Sequence, residues 1–232
     1  MTDFLQNINL SPLFISLRTG VISIIFVFIL GLAAAVLVMR LPRRAKWIID
    51  SLLTMPLVLP PTVAGYLLLL LFSLRRPLGA FLNSSLGISF VQTPAGCVLA
   101  ASVIAFPLMY RNARAAFEQI DVNLLYAGRT LGMSETSIIL KIAIPEAAPG
   151  LCSGGILAFA RAIGEYGATS MLAGSILGKT RTIAVAIASE VSAGNYGAAG
   201  FWTVIIVIIA FAVILSVNLV TGRGMKQSVR WS

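Results

Sequence analysis

From Leu13 to Met39 one charged residue, Arg18, interrupts an otherwise apolar run. A hydrocarbon core of ~30 Å takes ~20 residues of helix to cross, so a block of this length is suited to lipid. Comparable blocks recur at Ile48–Phe72, Pro94–Ala116, Ala147–Tyr166 and Ala199–Thr221. The 232 residues are 58% hydrophobic and 11% charged, where a soluble domain carries roughly a quarter charged residues. A soluble fold could not cover that much apolar surface. The expectation is a single all-α integral membrane domain over residues 1–232 with five transmembrane helices. A sixth is possible in Ala168–Ala198, but that block is short and holds Lys179, Arg181 and Glu190. It reads better as an external loop with a short or re-entrant helix.

Charge distribution supplies the orientation. Arg40, Arg43, Arg44 and Lys46 follow the first block; Arg111, Arg114, Arg129 and Lys141 follow the third; Arg223, Lys226 and Arg230 follow the fifth. With five spans these clusters share one side, which the positive-inside rule makes cytoplasmic. The N-terminus is then outside, the C-terminus is inside, and no cleavable leader is expected. The net charge of +9 is explained by that retention, with no nucleic-acid partner. Cys97 and Cys152 lack metal or redox spacing, and there is no histidine. Metal sites and histidine-based intramembrane catalysis are therefore not expected.

Between the third and fourth spans lies a more polar insert, 121–145. Asp121 and Ser134 stand where helix N-caps belong, and Gly132 where a left-handed residue ends the first of two short helices. Pro145 is expected to stop the second. Ala127 and Gly128 leave backbone open to close approach by another protein, and Ile138, Ile139, Ile142 and Ile144 offer apolar contacts. An amphipathic hairpin lying on lipid headgroups fits these residues equally well.

Elsewhere, Pro56, Pro60 and Pro61 fall inside the second span, where proline bends or breaks a helix. Broken backbone at membrane depth is tolerated where it is buried in protein or lines a watery cavity. A pathway wall is preferred here, because Thr62 and Gly65 follow directly; a packing kink is the alternative. Arg161 and Glu165, four residues apart, make an interior ion pair, read as a structural bridge before a gate. Arg75, Arg76, Lys179 and Arg181 form an external basic set that suits either solvent or acidic patches of a partner.

The spacing within 121–145 resembles the cytoplasmic signature of binding-protein-dependent ABC importer permeases. Tyr126, Ala127 and Gly128 take the Glu-Ala-Ala places, Gly132 the glycine, and Ile142, Ile144 and Pro145 the closing positions. Tyr126 departs from the family's acid and Gly128 from its second alanine. The segments "DSLLTMPLVLPPTVAGYLLLLLF", "FPLMYRNARAAFEQID", "LAFARAIGEYGAT" and "KTRTIAVAI" resemble molybdate importer permeases, with sulfate and tungstate permeases as near relatives. The resemblance implies a MetI-like permease working as a homodimer in the cell (inner) membrane. It further implies two cytoplasmic ATPase subunits, which the 121–145 coupling hairpin contacts, and an extracytoplasmic molybdate-binding protein. No nucleotide-binding loop of the form G-x-x-x-x-G-K-[ST] is present, so ATP and Mg belong to the partner subunit and this chain is no enzyme. An oxyanion needs hydroxyl and amide donors along its route rather than a deep positive well. Ser153, Gly154, Gly155, Thr169 and Ser170 join Pro56, Pro60, Pro61 and Thr62 as pathway candidates. An ion-coupled secondary transporter would be expected to show inverted repeats and more intramembrane carboxylates.

Overall fold

The computed structural model describes residues 9–224. Helices α1 (Ser11–Met39), α5 (Pro94–Glu118), α8 (Ile144–Ile163) and α11 (Tyr196–Gly224) form the long elements. Between them lie α2 (Arg43–Val58), α3 (Pro61–Phe72), α4 (Pro77–Leu86), α6 (Val122–Thr130), α7 (Glu135–Ile138), α9 (Gly167–Ala173) and α10 (Ile183–Ser192). Four stretches are long and apolar enough to span a membrane, and α2 with α3, bent by 110°, makes a fifth where the pair is counted as one broken span and not as a re-entrant loop. At 1.5 Å per residue α10 reaches only about 15 Å, and α9 is shorter still, so Ala168–Ala198 contributes two short helices and no sixth span. Lys226 and Arg230 lie outside the described residues.

In water, a helix marks its packed face by polarity; here both faces are apolar and size makes the distinction. Helix α1 buries Ser16, Gly20, Ser23, Val27, Gly31 and Ala35, a row of mostly small residues at helical spacing that lets backbones approach. A Cβ at Gly31 would lie 2.9 Å from Met109 Cγ, and one at Gly20 2.7 Å from Ile163 Cγ1. Phe14, Ile25, Phe26, Ile29 and Leu37 cover the opposite, exposed face. Helix α5 answers with Cys97, Ala100, Ala101, Ile104, Ala105 and Met109, all buried. The main core thus lies where α1, α5 and α8 meet. Two of the buried hydroxyls of α1 find partners far away in sequence, while Ser102 Oγ on α5 is buried without one among the described residues. Ser23 Oγ donates to the Val98 carbonyl at 3.1 Å. Ser16 Oγ accepts the Ile183 amide at 2.8 Å, fixing the start of α10 to α1.

The structure locates the break in the second span, corrects the reading of Pro145 and adds one helix. Pro56 lies inside α2 without ending it; the chain breaks at Leu59 and Pro60, both extended, as a residue preceding proline prefers. Pro145 stops nothing. The helix runs from Glu135 to Ile163 without a gap, passing through a π turn at Ile139–Ala143 that loosens the ladder just before the proline's missing donor. Helix α4 was not foreseen at all.

Candidate functional site

The insert folds as the hairpin its caps specify. Asp121 accepts the Asn123 amide at 2.9 Å, and Ser134 Oγ accepts the Ser137 amide at 3.2 Å. Gly132 has φ +74°. Around it, the Gly132 amide donates to the Arg129 carbonyl (3.0 Å) and the Met133 amide to the Gly128 carbonyl (3.1 Å). That bond pair is a Schellman closure of α6. Arg129 then crosses the turn to grip Glu135 through two bonds, 2.7 and 3.2 Å. Hydrogen bonding to Arg129 holds the Glu135 carboxyl below its usual range.

Gly128 acts differently from the sequence reading. It is buried inside the hairpin, where a Cβ would meet Ile142 Cδ1 at 3.0 Å and Ile138 Cγ1 at 3.2 Å. Its lack of a side chain therefore serves contact between α6 and the helix after the turn, and leaves no backbone open to a partner. Ile138 and Ile142 are spent in the same contact, and Ile144 packs on the main core. Outward, besides Val122 and Leu140, are Leu124, Ala127 and Leu131, with Leu131 81% exposed. Those three sit at i, i+3 and i+7 on α6, a spacing that could have found them. Tyr126 stays exposed, with the Arg129 guanidinium 5.5 Å from its ring centroid. The ring thus stacks on an arginine of its own helix.

At the other end of α8 the broken span meets the Gly-Glu-Tyr-Gly-Ala-Thr turn. A Cβ at Gly65 would lie 2.6 Å from Ala168 Cα, so α3 and α9 touch backbone to backbone only because Gly65 lacks one. One at Gly167 would lie 3.0 Å from both Pro61 Cβ and the Thr62 amide nitrogen. Pro60, Pro61 and Thr62 are thereby brought to Gly167–Ser170. Within this junction Thr62 is exposed and Thr169 is buried, while Ser170 Oγ donates to the Gly167 carbonyl at 3.1 Å. Ser153 is elsewhere. It lines a separate cleft of about 330 Å³ between α5 and α8 with Asn112, Gln119 and Glu146.

The expected ion pair is present, Arg161 Nη1 to Glu165 Oε2 at 2.7 Å. Glu165 lies just past the end of α8 and is 2% exposed. Its other oxygen accepts the Ala168 amide at 2.8 Å. One carboxylate thus ties the end of α8 to the first turn of α9.

A second charged group was missed. Tyr110, fully buried, donates to Asp50 at 2.8 Å. Arg114 pairs with both Asp50 and Glu118, and Lys46 reaches Glu118 at 3.2 Å. This network ties the base of α2 to α5. Only its Arg114–Glu118 part, at i, i+4, was visible in sequence.

Residues 12–223 match the family described as binding-protein-dependent transport system inner membrane component. The chain belongs to that family. Among curated members of this transport family, the Escherichia coli K12 molybdenum transport system permease protein ModB is 39% identical over 204 residues, covering 87% of this chain and 89% of that one. The putative molybdenum transport system permease protein YvgM of Bacillus subtilis is 35% identical over 208 residues, 90% of this chain and 92% of that one. Azotobacter vinelandii ModB is 31% identical over 222 residues, with 95% and 97% covered. The MetNI methionine ABC transporter in an inward-facing form shares the fold, with a TM-score of 0.71 at 18% identity over 93% of this chain and 95% of that one. The chain is a multi-pass membrane permease of the MetI-like fold.

Proposed function

We propose that the chain is the pore-forming subunit of an ATP-driven molybdate importer. In this reading two copies form the pathway, two cytoplasmic ATPase subunits take the hairpins, and an external binding protein delivers the anion. The observation that carries it is the 39% identity to a molybdenum permease across 87% of the chain, reinforced by a hairpin whose caps and glycine all sit in register. ATP closing its own subunits would draw on Leu124, Ala127 and Leu131. The continuous helix from Glu135 to Ile163 would carry that displacement to Glu165, and Glu165 would pass it through α9 to α3. Reconstituted complex with its binding protein is expected to take up molybdate only with ATP, and to prefer it over tungstate and sulfate. Uptake driven by an ion gradient without ATP would refute the importer. Preference for sulfate would refute the substrate.

The orientation is proposed as well, with the N-terminus outside. In a background lacking Cys97 and Cys152, Lys179→Cys is expected to react with a membrane-impermeant thiol reagent from outside. Ser228→Cys, beyond the described residues, is expected to react only after the cells are opened. External labelling at position 228 would invert the map.

A further inference from the structure

Helix α4 has no role in the transport reading, and it leaves most of its large apolar residues exposed. Of its ten residues only Gly79 is buried, yet Leu78, Phe81 and Leu86 are exposed, Phe81 by 61%. With the half-buried Leu82 they stand at i, i+3, i+4 and i+8, a largely apolar stripe broken by Ser85, while Ala80, Asn83 and Ser84 occupy the other side. Its placement is fixed. A Cβ at Gly79 would sit 2.2 Å from the Ser73 carbonyl oxygen and 2.5 Å from that of Phe72, so α4 is folded hard against the end of the broken span. A helix of about 15 Å cannot cross a bilayer, but one pinned where a span ends lies at its boundary. Charge completes the pattern. Arg75 and Arg76 immediately precede α4, both exposed, with no carboxylate in salt-bridge range among the described residues. The sequence from Arg75 to Gln92 contains no acidic residue.

We infer that α4 is an interfacial helix that lays Leu78, Phe81, Leu82 and Leu86 into the leaflet where α3 ends, with Arg75 and Arg76 on the phosphates of anionic lipids. An apolar stripe beside unmatched cations suits such lipids, because binding grows with both buried apolar area and attraction to negative headgroups. The inference needs the membrane spans alone and is independent of which anion is carried.

The test uses the whole complex in vesicles, without Cys97 and Cys152, carrying a nitroxide on Phe81→Cys or Asn83→Cys. Leu78→Cys replaces the first if that variant does not assemble. Collision with oxygen and with a water-soluble nickel chelate reports depth. In phosphatidylglycerol-containing vesicles the label at 81 is expected about 5–10 Å below the phosphates, and the label at 83 in water. In phosphatidylcholine alone, or with R75Q/R76Q, the label at 81 should move toward water. Aqueous signals at both positions would overturn the inference, as would insertion that ignores lipid charge. Equal shielding in lipid-free detergent would assign the stripe to a second copy of the chain. Shielding that appears only on adding the binding protein would assign it to that protein.

Discussion

Glu165→Gln is expected to lower the apparent melting temperature of the assembled permease by roughly 6–12 °C. The substitution keeps an acceptor for the Ala168 amide but removes the charge facing Arg161 at 2.7 Å. Breaking a buried pair costs ~3–5 kcal/mol because the survivor is left uncompensated. The Arg161 side chain is one-third exposed, so the cost should fall near ~3 kcal/mol, and each kcal/mol shifts melting by about 2–4 °C in a chain this size. Arg161→Met combined with Glu165→Gln removes both charges and keeps the cap, so most of the loss should return. Thermal melts of the two single variants and the double measure the coupling. A double variant as unstable as the sum of the singles would show that no direct bridge contributes.

Gly132→Val is expected to separate ATP hydrolysis from uptake. At φ +74° a β-branched residue is strained, at a cost of roughly 1–3 kcal/mol. Each ~1.4 kcal/mol is a factor of ten in population, so uptake per ATP should fall by about fivefold to a hundredfold. No atom lies within 4 Å of where the new Cβ would stand, so the effect isolates the backbone. Gly132→Asn is the control, since asparagine visits the left-handed region readily, and it should couple nearly normally. Normal uptake by the valine variant would remove Gly132 from the coupling path.

The spans were legible because long apolar blocks carry a signal in every residue, and the Leu59–Pro60 break because two prolines fix local geometry. What escaped depends on partners distant in sequence. Nothing near Gly128 says whether its bare backbone faces another protein or Ile138 and Ile142 of its own hairpin. Asp50 and Arg114 look like unrelated boundary charges until α2 and α5 meet. Pro145 looked like a stop because a π turn has no sequence signature to set against proline's rule. The packed face of α1 is marked by size where polarity is silent, which a hydrophobic-periodicity scan does not register.

The uninterrupted helix from Glu135 to Ile163, 29 residues, has a mechanical consequence. At 1.5 Å per residue it is a rod of roughly 40 Å, with one end in the hairpin and the other at the Arg161–Glu165 clasp. Tilting such a rod by about 10° swings its far end through roughly 7 Å, so under the proposed coupling a modest push at Leu131 would be geared up before it arrived at α3. The π turn sets where the rod can flex. Its wider ladder is a place where the hairpin could reorient about the rod's axis without a break in the helix. Stroke length and angular phase at the hairpin would then be set by two separate features, helix length and the position of a single loosened turn.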